Sequence, residues 1–251
     1  MNRTVLTDPS AGVLVNQVVD KAVASIAHNW HQSKPAHIVL TGGRTGSQIA
    51  SVLDSEIFRI LQTEPFLNTA QLLEPGSLAL HVWFSDERFV ESTDPDRIDN
   101  VLIPCFEKTA KMNEVGLQFH KIPTPGEVNV DGAAELYARE LDAVVGDARF
   151  DAVILSMGED GHVASLFPGL PYTDHHTQSA VPVHHSPKPP ALRVSIGMDR
   201  LAKANAIYIF ALGEGKREAL VKVLNDEVEV PVNMILKAAT VGSMFIATDL
   251  K

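Results

Sequence analysis

The sequence predicts an α/β fold of the doubly wound type, in which helices cover both faces of a mainly parallel sheet. Two observations lead to this prediction. Short apolar runs typical of buried strands alternate with helical stretches of ten or more residues. Glycines or charged residues follow several of these runs directly. Because 251 residues can bury one sizeable core, we expect a single Rossmann-like domain over residues 1–251.

The first 155 residues contain three predicted strands. Residues 10–30 form an amphipathic helix with Val15, Val19, Val23 and Ile26 on one face, and Ser10 stands at the N-cap position. Strands are predicted at 36–40, 78–84 and 151–155, helices at 47–63, near 100–108 and at 133–145, and a loop at 85–97.

The last third continues the alternation of strands and helices. The Pro-rich stretch 184–193 is short and flanked by strand signals, so we interpret it as a loop within the domain and not as a linker. Strands are predicted at 179–184, 192–197, 206–212 and 243–248, and helices at 213–224 and 232–238.

Composition excludes some classes of partner. The net charge of -10 is not relieved by any basic run, which argues against nucleic-acid binding. No apolar run approaches the roughly 18 residues of a membrane span, and the first ten residues lack a secretory signal pattern. The single cysteine, Cys105, cannot form an internal disulfide. We therefore expect a cytoplasmic protein without nucleic-acid or membrane partners.

Paired histidines occur twice, at 175–176 and 184–185. Neither pair has the helical spacing or the Cys-x-x-Cys partner that is typical of a zinc site. We interpret them as solvated loop histidines and expect no metal.

Three polar loops follow apolar runs, where parallel sheets bind ligands. In the first, Gly42 and Gly43 let a ligand approach the backbone, and a helix beginning near Thr45 directs free N–H groups at the same place. A phosphate fits there, although a plain tight turn explains Gly-Gly about as often. The loop is neither a Walker A nor a G-x-G-x-x-G motif, which argues against a nucleotide.

The second loop places Asp86, Glu87 and Arg88 directly after a strand. Surface salt bridges are one explanation. The functional alternative is that Arg88 binds an anionic oxygen, with an acid beside it for a substrate hydroxyl or proton.

The third loop, "SMGEDGH", brings Asp160 and His162 together between glycines. A carboxylate beside an imidazole fixes its tautomer and raises its basicity, which is the arrangement of a general base. No G-x-S-x-G elbow is present, so we do not expect a serine nucleophile.

These motifs carry a family resemblance. "WFSDERFV", then "LSMGEDGHVASLFPG" about seventy residues later, then "SPKPPALRVS" and "LGEGK", resemble the 6-phosphogluconolactonases from about Val39 to Phe245. The resemblance implies hydrolysis of 6-phospho-D-glucono-1,5-lactone to 6-phospho-D-gluconate in the oxidative pentose phosphate pathway. It implies a small-molecule phosphorylated sugar lactone as the partner, no metal or organic cofactor, and a monomer or weak homo-oligomer.

The resemblance also implies roles for individual residues. His162 would be the base that activates water, and Asp160 would orient it. Asp86 and, more weakly, Arg97 would contact the substrate; a surface position at a helix start is the alternative for Arg97. Ordinary solvated positions are the alternative for the lysines and for Arg193. The 6-phosphate would be held by the Gly42–Gly43 turn with some of Arg44, Thr45, Arg88, Lys188, Arg193 and Lys216.

Three departures and two rivals remain. Gly46 stands where the family usually has proline, Arg44 where it often has a small residue, and Ile98 where it often has asparagine. A related isomerase or deaminase of glucosamine 6-phosphate would use Asp86 to abstract a proton, but Arg88 and the pair Phe167–Pro168 favour the lactonase. A sugar-phosphate sensor is the second rival, and it would need a basic DNA-binding segment that is not seen.

Overall fold

The computed structural model describes residues 3–63, 78–170, 178–227, 229–239 and 242–250. Its strands are β1 Arg3–Thr7, β2 Ala36–Leu40, β3 Leu78–Phe84, β4 Asp86–Arg88, β5 Val115–His120, β6 Ala152–Ser156, β7 Ala180–Val183, β8 Arg193–Ile196, β9 Ala206–Ala211 and β10 Ser243–Thr248. The main sheet has seven of them in the order β1-β10-β9-β6-β2-β3-β5, and each neighbouring pair is parallel.

Helices cover both faces of this sheet, so the doubly wound prediction is confirmed. Short 3₁₀ segments lie at Ile103–Phe106, Thr109–Lys111 and Glu214–Lys216. The helices are α1 Ala11–His31, α2 Gly43–Leu61, α3 Ile98–Leu102, α4 Val130–Val144, α5 Met198–Ala202, α6 Arg217–Leu224 and α7 Pro231–Ala238.

The two faces of the sheet bury two apolar clusters. Side chains alternate along a strand, so Leu40 faces the cluster under α1 and α2 while Val39 faces the cluster under α4 to α7. The predicted apolar face of α1, from Val15 to Ile26, is buried. Ser10 occupies the N-cap position of α1, but its side chain makes no capping hydrogen bond.

A second sheet corrects the sequence prediction. Within 85–97, which was predicted as a loop, β4 pairs antiparallel with β8, and β8 pairs antiparallel with β7. These three strands form a sheet of their own. Ser85 links the two sheets: its N–H donates to the Leu40 carbonyl at 2.9 Å, and its carbonyl accepts from the Ile196 N–H at 2.8 Å.

Two edge strands and one helix start also differ from the prediction. β1 and β5 were not predicted; each pairs with one neighbour only and carries partly exposed side chains. α2 begins at Gly43 and not near Thr45. A Cβ at Gly46 would overlap the Thr41 carbonyl, so the glycine that replaces the family's proline lets α2 begin directly against the end of β2.

No helix in the described parts of the chain combines the length and apolarity needed to cross a bilayer. Across the same residues, no group of three or more His, Cys, Asp or Glu side chains is arranged to hold a metal ion. The pair His175–His176 lies outside the described residues. In the other pair, His184 Nε2 lies 3.0 Å from an Asp131 carboxylate oxygen.

Candidate active site

A cavity of about 450 Å³ lies at the carboxyl ends of β2, β6 and β9, with β4 and β8 forming another wall. It brings together eight residues that were predicted from the sequence: Gly42, Gly43, Asp86, Arg88, His162, Lys188, Arg193 and Lys216. A larger cavity, of about 570 Å³, lies between α4 and β7 and contains none of the predicted residues.

His162 and Asp160 form a hydrogen-bonded pair beside the cavity. His162 Nδ1 contacts Asp160 Oδ1, and the His162 backbone N–H donates to the same oxygen at 3.2 Å. Because an ionised carboxylate can only accept, we assign the imidazole proton to Nδ1. The lone pair then lies on Nε2, which is the atom that a general base needs.

The electrostatics of the pair favour a neutral imidazole. Burial lowers the pKa of His162, and the hydrogen bond and charge of Asp160 oppose that shift only in part. For Asp160, burial acts to raise the pKa, but the bonds from His162 outweigh it and the pKa is lowered. At neutral pH the pair is therefore an ionised carboxylate and an unprotonated base.

Glycines and an aromatic ring hold the His162 loop in shape. The Gly158 N–H donates to the His162 carbonyl at 2.8 Å, and the Gly161 N–H donates to the Gly158 carbonyl at 3.1 Å. Gly161 has a φ of +79°, in the left-handed region that favours glycine. The ring of Phe167, which is buried, lies 4.5 Å from the His162 ring between centroids.

Asp86 lies in the cavity wall as a well-bonded carboxylate. It is 5% exposed. Ser85 Oγ donates to its Oδ1 at 2.9 Å, and Ser165 Oγ donates to its Oδ2 at 2.6 Å. An Arg193 nitrogen lies 4.0 Å from Oδ2.

The two arginines of the cavity differ in how fully they are bonded. Arg88 and Arg193 are directly opposite each other on β4 and β8, an arrangement of like charges that favours an anion between them. The guanidinium of Arg193 donates hydrogen bonds to the carbonyls of Lys188, Pro189 and Pro190. Arg88 donates to the Asp96 carbonyl, and its buried Nε has no hydrogen-bond partner among the described residues.

Two lysines complete the positive side of the cavity. Lys216 Nζ donates to Ser156 Oγ at 3.2 Å. Burial lowers the pKa of Lys216, and the charge of Lys188 lowers it further. Cations that are held close enough to repel one another form a site for an anionic group.

A free helix terminus faces the same cavity. Gly42 is the N-cap residue of α2 and offers no side chain to cap it. The first N–H groups of α2 therefore remain available at Gly42 and Gly43, which line the cavity. The side chains of Arg44, which is exposed, and Thr45 do not line it.

Comparison with known proteins identifies the relationship. A family model described as "Glucosamine-6-phosphate isomerases/6-phosphogluconolactonase" matches residues 9–245. The chain belongs to this family. The resemblance drawn from the loop motifs is therefore confirmed.

Members of the family with known names differ in how far they match. A 6-phosphogluconolactonase of Streptomyces coelicolor is 29% identical over 241 residues, which cover 91% of this chain and 82% of the relative. A human 6-phosphogluconolactonase is 38% identical over 121 residues, 47% of each chain.

The solved structures of the family share the fold. A 6-phosphogluconolactonase from Trypanosoma cruzi has a TM-score of 0.78 at 22% identity and covers 98% of this chain and 94% of its own. A monomeric glucosamine-6-phosphate deaminase has a TM-score of 0.67 at 15% identity, with 98% and 96% covered. At such identities the likeness is one of fold.

Arg97 is placed away from the cavity, and we withdraw it as a substrate contact. Its guanidinium is 1% exposed. It donates twice to the Asp99 carboxylate at 3.0 Å and once to the Ile122 carbonyl at 2.8 Å, and it lies 3.9 Å from Glu87. The family motif that contains Arg97 thus contributes a structural ion pair here.

Two cavity residues and one residue behind the cavity wall were missed by sequence reasoning. Ser156 and Glu159 lie in the loop that was singled out for Asp160 and His162, but no role was assigned to them. Ser165, which bonds Asp86, belongs to the "ASLFP" motif that carries part of the family resemblance. The signal for Ser165 was its place three residues after the base.

Proposed function

We propose that this protein hydrolyses 6-phospho-D-glucono-1,5-lactone to 6-phospho-D-gluconate, with His162 as the general base. Its relatives named 6-phosphogluconolactonase support this assignment to the carboxylic ester hydrolases. The observation that carries the proposal is the His162–Asp160 pair, with a neutral imidazole, in a cavity surrounded by cations.

The reaction begins with a water molecule between His162 and the lactone carbonyl. His162 Nε2 takes one proton as the water oxygen bonds to C1, and the carbonyl oxygen becomes an oxyanion. Collapse of this intermediate breaks the bond between C1 and the ring oxygen, which receives the proton back from His162. Asp160 stabilises the imidazolium in between.

Binding of the 6-phosphate would position the lactone, although the phosphate is remote from the reacting carbon C1. The uncapped N-terminus of α2, Lys188 and Lys216 are the groups we propose for this contact, with the partly bonded Arg88 as a further donor. The chain has a net charge of -10, so this local cationic cluster must capture the anion against the overall field. Because the phosphate is remote from C1, its binding energy can orient the reacting carbon.

A sugar lactone is an activated ester, so the enzyme needs no covalent nucleophile. A positioned base is worth about 10²- to 10⁴-fold in rate. Orientation through the phosphate adds to this. The proposed steps use only protein side chains, backbone donors and water.

The rival function is isomerisation or deamination of glucosamine 6-phosphate. In that reaction Asp86 would abstract a proton from carbon. Its carboxylate already accepts from two serine hydroxyls and lies near Arg193, so part of its acceptor capacity is taken by protein donors. This favours the lactonase.

The test is the enzyme-dependent rate of acid release from 6-phosphogluconolactone made in situ, with the spontaneous rate subtracted. The native protein should exceed the blank, and His162→Ala should lose about 10²- to 10⁴-fold. His184→Ala, an exposed histidine outside the cavity, is the matched control and should retain the native rate. A native rate equal to the blank would reject the lactonase, and glucosamine 6-phosphate would then be the substrate to assay.

A further inference from the structure

We propose that Asp86 determines substrate specificity by accepting a hydrogen bond from a ring hydroxyl of the sugar, and that Ser165 is the positioning residue that holds it in this role. The inference rests on the proposed function and deepens it. It adds to the site a residue, Ser165, that the sequence motifs did not single out.

The side chains of β4 point alternately toward the cavity and away from it. Successive side chains of a strand point to opposite faces. Asp86 and Arg88 line the cavity, while the carboxylate of Glu87 points the other way and accepts from the N–H groups of Ile98 and Asp99 at 2.8 and 2.9 Å. The strand therefore presents one carboxylate to the substrate and uses the other to hold α3.

The bonding of Asp86 limits what its carboxylate can do. Each oxygen already accepts one serine hydroxyl, from Ser85 and from Ser165. An ionised carboxylate has about four acceptor positions, so one position on each oxygen is left for a donor in the cavity. A sugar hydroxyl is such a donor, whereas a carbon-bound proton requires a strong base.

Ser165 couples the orientation of Asp86 to the loop that carries the base. It is fully buried. Its N–H donates to Ser195 Oγ at 3.3 Å, and its own hydroxyl lies 3.5 Å from an Arg193 nitrogen. Since Arg193 donates to it, the Ser165 hydroxyl directs its proton to Asp86 and fixes which oxygen lone pairs face the substrate.

The experiment compares kcat/KM for the gluco-configured lactone with that for its 6-phosphorylated epimers at C2, C3 and C4. The native protein should prefer the gluco configuration, and Asp86→Asn should reduce the preference against one epimer by about tenfold or more, since a bond to a charged acceptor is lost. Ser165→Ala should reduce the preference against the same epimer. The double variant should be no less selective than Asp86→Asn alone, because Ser165 acts through Asp86.

Thr109→Val is the matched control, because it also removes a buried hydroxyl but lies in the 3₁₀ segment Thr109–Lys111, outside the cavity and away from Asp86 and Ser165. Its selectivity should equal the native one, whatever its thermal stability. Unchanged epimer ratios in Ser165→Ala and Asp86→Asn, with the native enzyme active on the gluco lactone, would overturn this inference and leave the proposed function intact. A native rate at the blank would overturn both. Should Asp86→Asn not fold, Ser165→Ala decides by itself.

Discussion

The imidazole of His162 packs against the α-carbon of Gly158, so closely that a Cβ at position 158 would overlap the ring at Nδ1 and Cε1. The same Cβ would come within 2.8 Å of Asp160 Oδ1. The absence of a side chain at Gly158 therefore leaves room for both His162 and Asp160. The φ of Gly158 is not in the left-handed region, so the constraint comes from contact and not from the backbone.

Gly158→Ala should consequently reduce catalytic activity much more than thermal stability. The added methyl group displaces the His162 ring or breaks its bond to Asp160, and we expect a loss of about 100-fold or more in kcat. Steady-state lactone hydrolysis and thermal unfolding of the same preparation check this. Gly12→Ala on α1, where a Cβ would meet nothing nearer than 3.7 Å, should retain native activity. Equal activity in Gly158→Ala would contradict the described packing.

Asp160→Asn should move the pH profile of the reaction. Asn can still accept from Nδ1, but it lacks the charge that raises the pKa of His162. The acid limb of kcat/KM, set by protonation of His162, should therefore shift to lower pH, and the plateau should fall because the base is weaker. A profile of kcat/KM between pH 4.5 and 8 measures both effects. A limb that moves to higher pH would argue against Asp160 as the partner.

Lys216→Gln should weaken phosphate recognition. Removing one cation from the cluster should raise KM by about tenfold and make inorganic phosphate a weaker competitive inhibitor. The exposed Lys222, which pairs with Glu218 on α6, offers the matched control Lys222→Gln, for which neither constant should change. If inhibition by phosphate were equal in Lys216→Gln and the native enzyme, the phosphate would have to bind elsewhere in the cavity.

In His37→Gln, the free energy of unfolding should decrease less steeply as the pH falls below neutral. His37 is buried and stacked on His81 at 4.5 Å between ring centroids. Burial, with the charges of His81, His120 and Arg200, lowers its pKa from 6.5 to about 3. Between these values the unfolded chain binds the proton and the folded chain does not, so the free energy of unfolding falls as the pH decreases, by up to about 1.4 kcal/mol per pH unit.

Urea unfolding of both proteins between pH 4 and 7.5 measures this contribution as a difference. The comparison is needed because Glu87 acts in the opposite direction: burial, opposed by the N–H groups of Ile98 and Asp99 and by Arg97, raises its pKa from 4.5 to about 7. Stability due to Glu87 is therefore present below pH 4.5 and is lost as the pH rises through about 7. Parallel curves for His37→Gln and the native protein would refute the assignment to His37.

The fold was predictable wherever the hydrophobic pattern of a segment by itself indicates that the segment is buried. β2 and β6, whose side chains are nearly all buried, were found because buried parallel strands are continuous apolar runs. β4 was not, since Asp86, Glu87 and Arg88 carry no apolar signal and become a strand only by pairing with β8. β1 and β5 were missed because edge strands with mixed exposure have neither strict alternation nor a long apolar run.

The site was predictable to the extent that its residues follow strand ends. Gly42, Asp86 and His162 come from three such loops, and the structure gathers them. Sequence alone could not show that the guanidinium of Arg97 donates to Asp99, or that Ser165 donates to Asp86, which lies 79 positions earlier in the chain. Both facts depend on which side chains meet after folding.

The single-residue link at Ser85 makes the placement of the two sheets independent of side-chain type. Its N–H is bound to one sheet and its carbonyl to the other, so the offset between the Gly42 turn and Asp86 is set by main-chain atoms that every residue type possesses. Core side chains on either side can drift without shifting that offset.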